Sequence, residues 1–254
     1  MARTFLVTLH YDGGGFAGWQ RQAEGRTVQA VLEGVLERLA ASPVRAHAAG
    51  RTDAGVHARG MAVSCTMPAR WTAEALFRAL NALLPEDCWT EAVREMQPGF
   101  HARTAATGRS YRYLIGIDPG AESPFRRRYE WALGRPLDRD ALEAAADALL
   151  GEHDFHAFSV RSSPRAHKRC RIRAARWSTR PESQGVRFDI AADRFLHHMV
   201  RMLVGTMVDI GLGRRALSDM DRMLALDARV TTSPPAPARG LYFVAAEYPT
   251  ECFA

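Results

Sequence analysis

The sequence predicts an α/β protein of the α+β kind, made of two units that each run strand, helix, strand, strand, helix, strand. Three observations predict it. Stretches of period-two apolar alternation take turns with stretches of helical spacing. Their order over the first hundred residues recurs in the rest of the chain. The 254 residues, 47% of them hydrophobic, are enough to bury one large core or two smaller ones.

Thr4 to His10 alternates Phe5, Val7 and Leu9, which predicts a strand. Thr27 can cap a helix whose apolar positions are Val28, Val31, Leu32, Val35, Leu36 and Leu39. Val44 to Ala49 and Gly60 to Met67 are short strand candidates. Thr72 caps a second helix through Leu76, Ala79, Leu80 and Leu83, stopped by Pro85, and Asp87 to Glu95 closes the first unit. The second opens on Arg109 to Ile117, with Tyr111, Tyr113, Ile115 and Ile117 on one face. Asp138 caps a helix through Leu142, Ala145, Ala146, Leu149 and Leu150, ended by Gly151. Arg169 to Ser178 and Val186 to Ala192 are strands joined by a turn with Pro181 and Gly185. His197 to Gly211 is apolar on nearly every side, the mark of a buried helix. A short helix from Ser218, a loop Ser233-Pro234-Pro235-Ala236-Pro237 and a strand from Leu241 to Tyr248 complete the chain. The order is that of the ferredoxin-like or RRM-like split unit. The division predicted is 1–104 and 105–254. Two such units would lay their sheets side by side around a basic cleft, a reasonable seat for nucleic acid.

Composition narrows the function classes. No run of eighteen apolar residues is present, so no membrane-spanning helix is expected. The first nine residues read as a strand and not as a signal peptide. Cys65, Cys88, Cys170 and Cys252 are far apart, with neither a zinc spacing nor a disulfide framework, which suits free thiols in a cytoplasmic protein. The net charge is +6, and Lys168 is the only lysine among 34 basic residues. Genomic bias accounts for much of that, yet arginine is also the better fork for phosphate. The charge is clustered. Arg161 to Arg180 holds no acid, and Arg169, Arg171 and Arg173 alternate with Cys170, Ile172 and Ala174. One face of that strand is basic and suits phosphate contact. Arg126-Arg127-Arg128 is a weaker signal, because short basic runs on loops are common.

Gly50-Arg51-Thr52-Asp53-Ala54-Gly55 joins two strand candidates. An aspartate in such a turn often bonds its own backbone. A carboxylate beside arginine on a glycine-flanked loop also suits a nucleophile or base. His197 and His198 are adjacent; on a helix they would point about a hundred degrees apart, which suits chelation poorly. No metal site is expected.

The Asp53 stretch resembles the signature of the TruA-type tRNA pseudouridine synthases. Six further stretches match that family in order: Tyr11-Asp12-Gly13, Gly18-Trp19-Gln20-Arg21-Gln22, Phe100-His101-Ala102-Arg103, Arg109-Ser110-Tyr111-Arg112-Tyr113, His197-His198-Met199-Val200-Arg201 with Gly205, and Gly240-Leu241-Tyr242. The resemblance implies the pseudouridine synthase fold and the isomerisation of uridine at tRNA positions 38, 39 and 40 by a homodimer, without a cofactor. It implies that Asp53 attacks the target nucleotide, at the base or the sugar carbon. Tyr111 would stack on the base, Arg201 would pair with the aspartate, Arg51 would help displace the base, and Leu241 would line the uracil pocket. Arg21, Arg169 and Arg171 would contact the RNA. Base displacement is required because the reacting atoms are hidden in a stack. The chain departs from the family at Met61, where a glutamine is usual, and at Ser64-Cys65, in place of His-Phe.

Two other classes fit less well. A non-catalytic module of two RRM-like units explains the basic strand but not the Asp53 loop, and the aromatic signature of RRM domains is missing. A nuclease or glycosidase would need a second carboxylate or a metal site at a recognisable spacing.

Overall fold

The computed structural model describes residues 2–160, 168–180 and 185–254. The chain divides into two compact units, Met1–Arg109 with Tyr242–Ala254, and Ser110–Leu241. It is a mixed α/β protein, as the order of elements predicts.

In the first unit β1 (Ala2–Tyr11), α1 (Val28–Ala40), β2 (His47–Ala48), β3 (His57–Pro68), α2 (Ala73–Leu83) and β4 (Cys88–Met96) follow one another as expected. The sheet runs β4-β1-β3, with β2 on the far edge of β3, and all these pairs are antiparallel. This is the split unit read from the element order. Both helices start at threonine caps: the hydroxyl of Thr27 accepts from the Ala30 amide, and that of Thr72 from the Ala75 amide. Phe5, Val7 and Leu9 of β1, Leu32 and Leu36 of α1, and Leu76 and Leu80 of α2 are fully buried. The strand expected over 44–49 shrinks to two residues. Pro43 has no amide to give, and the Ala46 amide goes to the Glu33 carboxylate, 3.0 Å away, instead of to a neighbouring strand.

The second unit holds β5 (Gly108–Gly116), β6 (Trp131–Ala132), α3 (Arg139–Asp147), β7 (Gly151–Asp154), β8 (Arg169–Arg180), β9 (Gly185–Ala192), α4 (Met199–Gly211) and α5 (Ser218–Leu224). Its sheet order is β5-β9-β8-β7, with β6 parallel to β5. The short strands β6 and β7 carry no sequence signal. Asp138 caps α3 through its side chain, and α3 packs on β8 and α4. The alternation predicted along β8 is present: Arg169, Arg171 and Arg173 are exposed, while Cys170 and Ile172 are buried. A register shift between Ile172 and Ala174 then resets the faces, so that Ala175 and Trp177 are buried and Arg176 is exposed. The lower part of the basic stretch, 161–167, and Pro181 of the predicted turn lie outside the described residues.

Helix α4 is buried on nearly all sides, as expected, but begins two residues later than the apolar pattern suggests. His198 takes a left-handed φ of 63° as its N-cap. Neither adjacent histidine is therefore within the helix, and the helical angle between them does not apply. Their rings lie 4.0 Å apart, centroid to centroid.

The last strand, β10 (Leu241–Glu247), pairs in parallel with β3 through Tyr242–His57 and Phe243–Ala58. A division at 104/105 assigns that strand to the second part. In the structure residues from Tyr242 onward cluster with the first unit, because chain order does not record which edge a returning strand finds. A Cβ on Gly60 would stand 2.0 Å from the Val244 carbonyl oxygen, so β3 needs a glycine where β10 comes close. Among the described residues no helix is long and apolar enough to cross a membrane.

Candidate active site

The Asp53 loop sits in the first unit between β2 and β3, held mainly by backbone. Thr52 is buried; its carbonyl accepts from the Trp19 amide at 3.0 Å, and its hydroxyl lies 2.8 Å from the Tyr11 phenol. The Asp53 carbonyl accepts from the Val56 amide at 3.2 Å, and Gly55 turns the chain with a φ of 77°. Asp53 itself is half-buried and Arg51 is exposed.

Two glycine stretches clasp this loop. Gly18, at φ +101°, packs against it so closely that a Cβ would come 2.8 Å from the Thr52 oxygen. The Gly18 and Trp19 carbonyls also accept from the Val28 and Gln29 amides, so one strap joins the loop to the start of α1. Gly13 follows Asp12 and approaches from the other side. The Gly13 amide donates to Nδ1 of buried His57 at 3.0 Å, and the Asp12 carboxylate lies 3.1 Å from the same nitrogen. His57 stacks on Tyr242, with centroids 4.9 Å apart. The stretches around Tyr11 and Gly18 thus converge on the loop, and Tyr242 on its flank at His57, a role that their separation in sequence conceals.

A Cβ on Gly13 would lie 2.0 Å from the Val56 carbonyl oxygen. Gly13→Ala must therefore push the loop aside. We expect a loss of about 1–3 kcal/mol in urea unfolding, typical of overpacking against backbone. The fractional loss of activity should exceed the fractional loss of folded protein. Equal losses would show that the loop's position does not govern the chemistry.

Asp87 buttresses the same region. Its carbonyl accepts from the Asp12 amide at 3.0 Å, and its carboxylate holds Arg26, whose guanidinium lies 4.1 Å over the Phe16 ring. The hydrogen-bonded Arg26 keeps the Asp87 carboxyl below the usual carboxylate range. A depressed folded-state value means stability that is fully present above the unfolded value of about 4 and lost as pH falls through the folded one. Asp87→Asn should flatten the acid limb of the urea midpoint between about pH 5 and pH 3. An unchanged acid limb would remove Asp87 from that account.

Arg21 is half exposed and reaches the carboxylate of Glu33, 3.4 Å away. Glu33 lies on α1 and is 1% exposed; it also accepts from Gln29 Nε2 and the Ala46 amide, each at 3.0 Å. The residue expected to touch RNA is thus also the counter-ion of a buried acid. Nothing in the spacing of Arg21 and Glu33 announced that pairing.

The second unit holds the remaining predicted residues. Tyr111, on β5, is buried with its ring edge-on to Phe195 at 5.0 Å. Arg201, on α4, donates from Nε to the Ala236 carbonyl at 2.8 Å, and the Ala236 amide donates back to the Arg201 carbonyl at 2.9 Å. That exchange staples the proline-rich loop along the helix. A Cβ on Gly205 would meet the Pro234 oxygen at 2.2 Å, and the Tyr113 phenol donates to the Pro237 oxygen at 2.7 Å. Gly240 then passes the Tyr113 ring with room for no side chain, and buried Leu241 follows it. Arg169 and Arg171 point outward and share Glu152 of β7, at 3.6 and 3.3 Å. The acid that the basic stretch lacks in sequence is supplied by the neighbouring strand. An exposed pair of this kind is weak and leaves both arginines available to other anions.

The two departures from the family pattern are packed. Met61 is fully buried. The Ser64 hydroxyl accepts from the Ala102 amide at 3.0 Å, which fixes the His101-Ala102-Arg103 turn, and burial pushes the Cys65 thiol up to about 12.

A family model described as tRNA pseudouridine synthase matches residues 8–103 and 145–249. The chain belongs to the tRNA pseudouridine synthase family. Proteins named tRNA pseudouridine synthase A are similar to it over nearly their whole length. That of Moorella thermoacetica is 43% identical, with 95% of this chain and 98% of the relative covered. That of Thermus thermophilus is 42% identical, with 98% of each covered. That of Geobacter sulfurreducens is 39% identical, with 94% and 97% covered. Among solved structures, a chain of a Cbf5-Nop10-Gar1 complex is similar at a TM-score of 0.42 and 12% identity. The alignment covers 95% of this chain but 48% of that one, too loose a likeness to carry an argument. The family's first matched segment contains Arg21, Arg51 and Asp53, and its second contains Arg169, Arg171, Arg201 and Leu241. Tyr111 falls between the two.

Proposed function

We propose that this protein isomerises uridine to pseudouridine in the anticodon arm of tRNA, at positions 38, 39 and 40, with Asp53 as the nucleophile. The observation that carries the reading is the Asp53 loop: a chain of the tRNA pseudouridine synthase family spends two glycine stretches and a buried threonine on holding one half-buried carboxylate in place. Such investment in the position of one side chain is expected of a nucleophile, which must meet its target in a fixed geometry.

The reaction conserves atoms. The bond from the sugar carbon to N1 breaks, the uracil turns, a bond from the sugar carbon to C5 forms, the C5 proton leaves and N1 takes up a proton. No oxidant, reductant or group donor is required. Arg51 helps the target base leave its stack, and Tyr111 receives the flipped uracil on its ring and takes part in moving the C5 proton. Leu241 lines the uracil pocket, and Arg201 balances the Asp53 charge. Arg21, Arg169 and Arg171 contact the RNA, in keeping with the net charge of +6. The enzyme acts in the cytoplasm as a homodimer, one tRNA spanning both subunits.

Incubation of the protein with unmodified tRNA, followed by mapping of pseudouridine, tests the reading. The expected product is pseudouridine confined to positions 38 to 40, in RNA of unchanged length. Binding without product would favour a non-catalytic RNA-binding module, and shortened RNA a nuclease.

A further inference from the structure

We propose that Phe125 is an RNA-stacking residue, presented with Arg127 by a pinned turn of the second unit as a contact for an unpaired base and its phosphate. The proposal rests on the reading of the protein as a tRNA-modifying enzyme, and it concerns residues 104–144, outside both segments that match the family model.

The large exposed apolar side chains of the molecule are mostly about half exposed, Leu226 at 52% and Trp89 at 49%. Phe125 stands at 88%. The turn that carries it is firmly held. The Arg126 guanidinium forks onto both oxygens of Asp118 at 2.8 Å and reaches the buried Glu130 through Nε at 2.9 Å. The Arg126 and Arg127 amides both donate to the Ser123 carbonyl, at 2.9 and 2.8 Å, and the Tyr129 amide donates to the Arg126 carbonyl at 2.8 Å. One arginine of the triplet is consumed as an anchor, and its neighbours Phe125 and Arg127 face solvent. Arg128 lies 5.8 Å over the Tyr129 ring.

A pinned turn that exposes an aromatic ring and, two residues on, an arginine is an awkward surface for a lone protein and a good one for single-stranded RNA. Every base has a π-face, so stacking tolerates sequence, while arginine neutralises the adjacent phosphate. An acidic or purely apolar partner would use only half of this pair. Because the turn is already ordered, little freedom is lost on binding.

The test measures tRNA affinity over a range of salt, single-turnover pseudouridine formation and sedimentation for the full chain with Phe125→Ala, Phe125→Trp or Arg127→Gln. Phe125→Ala should weaken tRNA binding about tenfold, with the rate at saturating tRNA and the melting temperature unchanged. Phe125→Trp should restore wild-type affinity, which a role in packing would not predict. Arg127→Gln should lower the salt slope by about one. Wild-type affinity in Phe125→Ala, or no rescue by Phe125→Trp, overturns the proposal. So does a change in sedimentation at constant tRNA affinity, which would assign the ring to a protein contact. If the wild type binds tRNA but converts no uridine, the activity reading fails while the binding series still judges the turn; if it does not bind tRNA at all, both fail.

Discussion

Asp53→Asn is expected to lower single-turnover pseudouridine formation by at least about 10⁴-fold, the scale on which removal of a nucleophile acts. The amide has nearly the shape of the carboxylate but not its negative charge, and its oxygen is a far weaker nucleophile, so on the proposed role the chemical step fails while binding persists. The bonds that shape the loop run through the Thr52 carbonyl and hydroxyl, the Val56 amide and the two clasping glycines, and all of them survive the change. With those bonds in place the variant should still fold and still bind tRNA. Wild-type rate in this variant would sink the assignment of Asp53, and a large drop in melting temperature would mean that the side chain serves the fold instead.

Glu130→Gln should destabilise the protein by about 3 kcal/mol in urea unfolding, the lower end of what breaking a buried ion pair costs. Glu130 is 2% exposed and receives two guanidinium groups, Arg126 at Oε1 and Arg180 at Oε2. Glutamine keeps the volume and one acceptor but turns an amide N–H₂ toward the second arginine. Both arginines are about a quarter exposed, so water softens the penalty and the upper end of the range is not reached. Arg126 also anchors the turn that carries Phe125, so tRNA affinity should fall together with stability. A loss below about 1 kcal/mol would show that water replaces the lost charge.

Much of this was legible in sequence because it is local. Caps at Thr27, Thr72 and Asp138, the stop at Pro85 and the burial of α4 follow from residues within one or two turns of each other. The alternation along β8 was readable too, although its phase shift after Ile172 was not, since a bulge depends on the partner strand. Asp53 was legible as a candidate through its glycine-flanked stretch and through the ordered set of matching motifs.

What only the tertiary structure decided is which distant residues meet. Tyr11, Gly13, Gly18 and Tyr242 surround one loop and its flank, across more than half the chain. Glu33 claims Arg21, Glu152 neutralises part of the basic strand, and β10 returns to β3. The physical reason is the same in each case. Helical and strand periods report which face of an element is apolar, whereas ion pairs, close glycine contacts and strand edges depend on how those faces come together. The one-dimensional pattern holds the periods; the partners exist only once the chain has closed on itself.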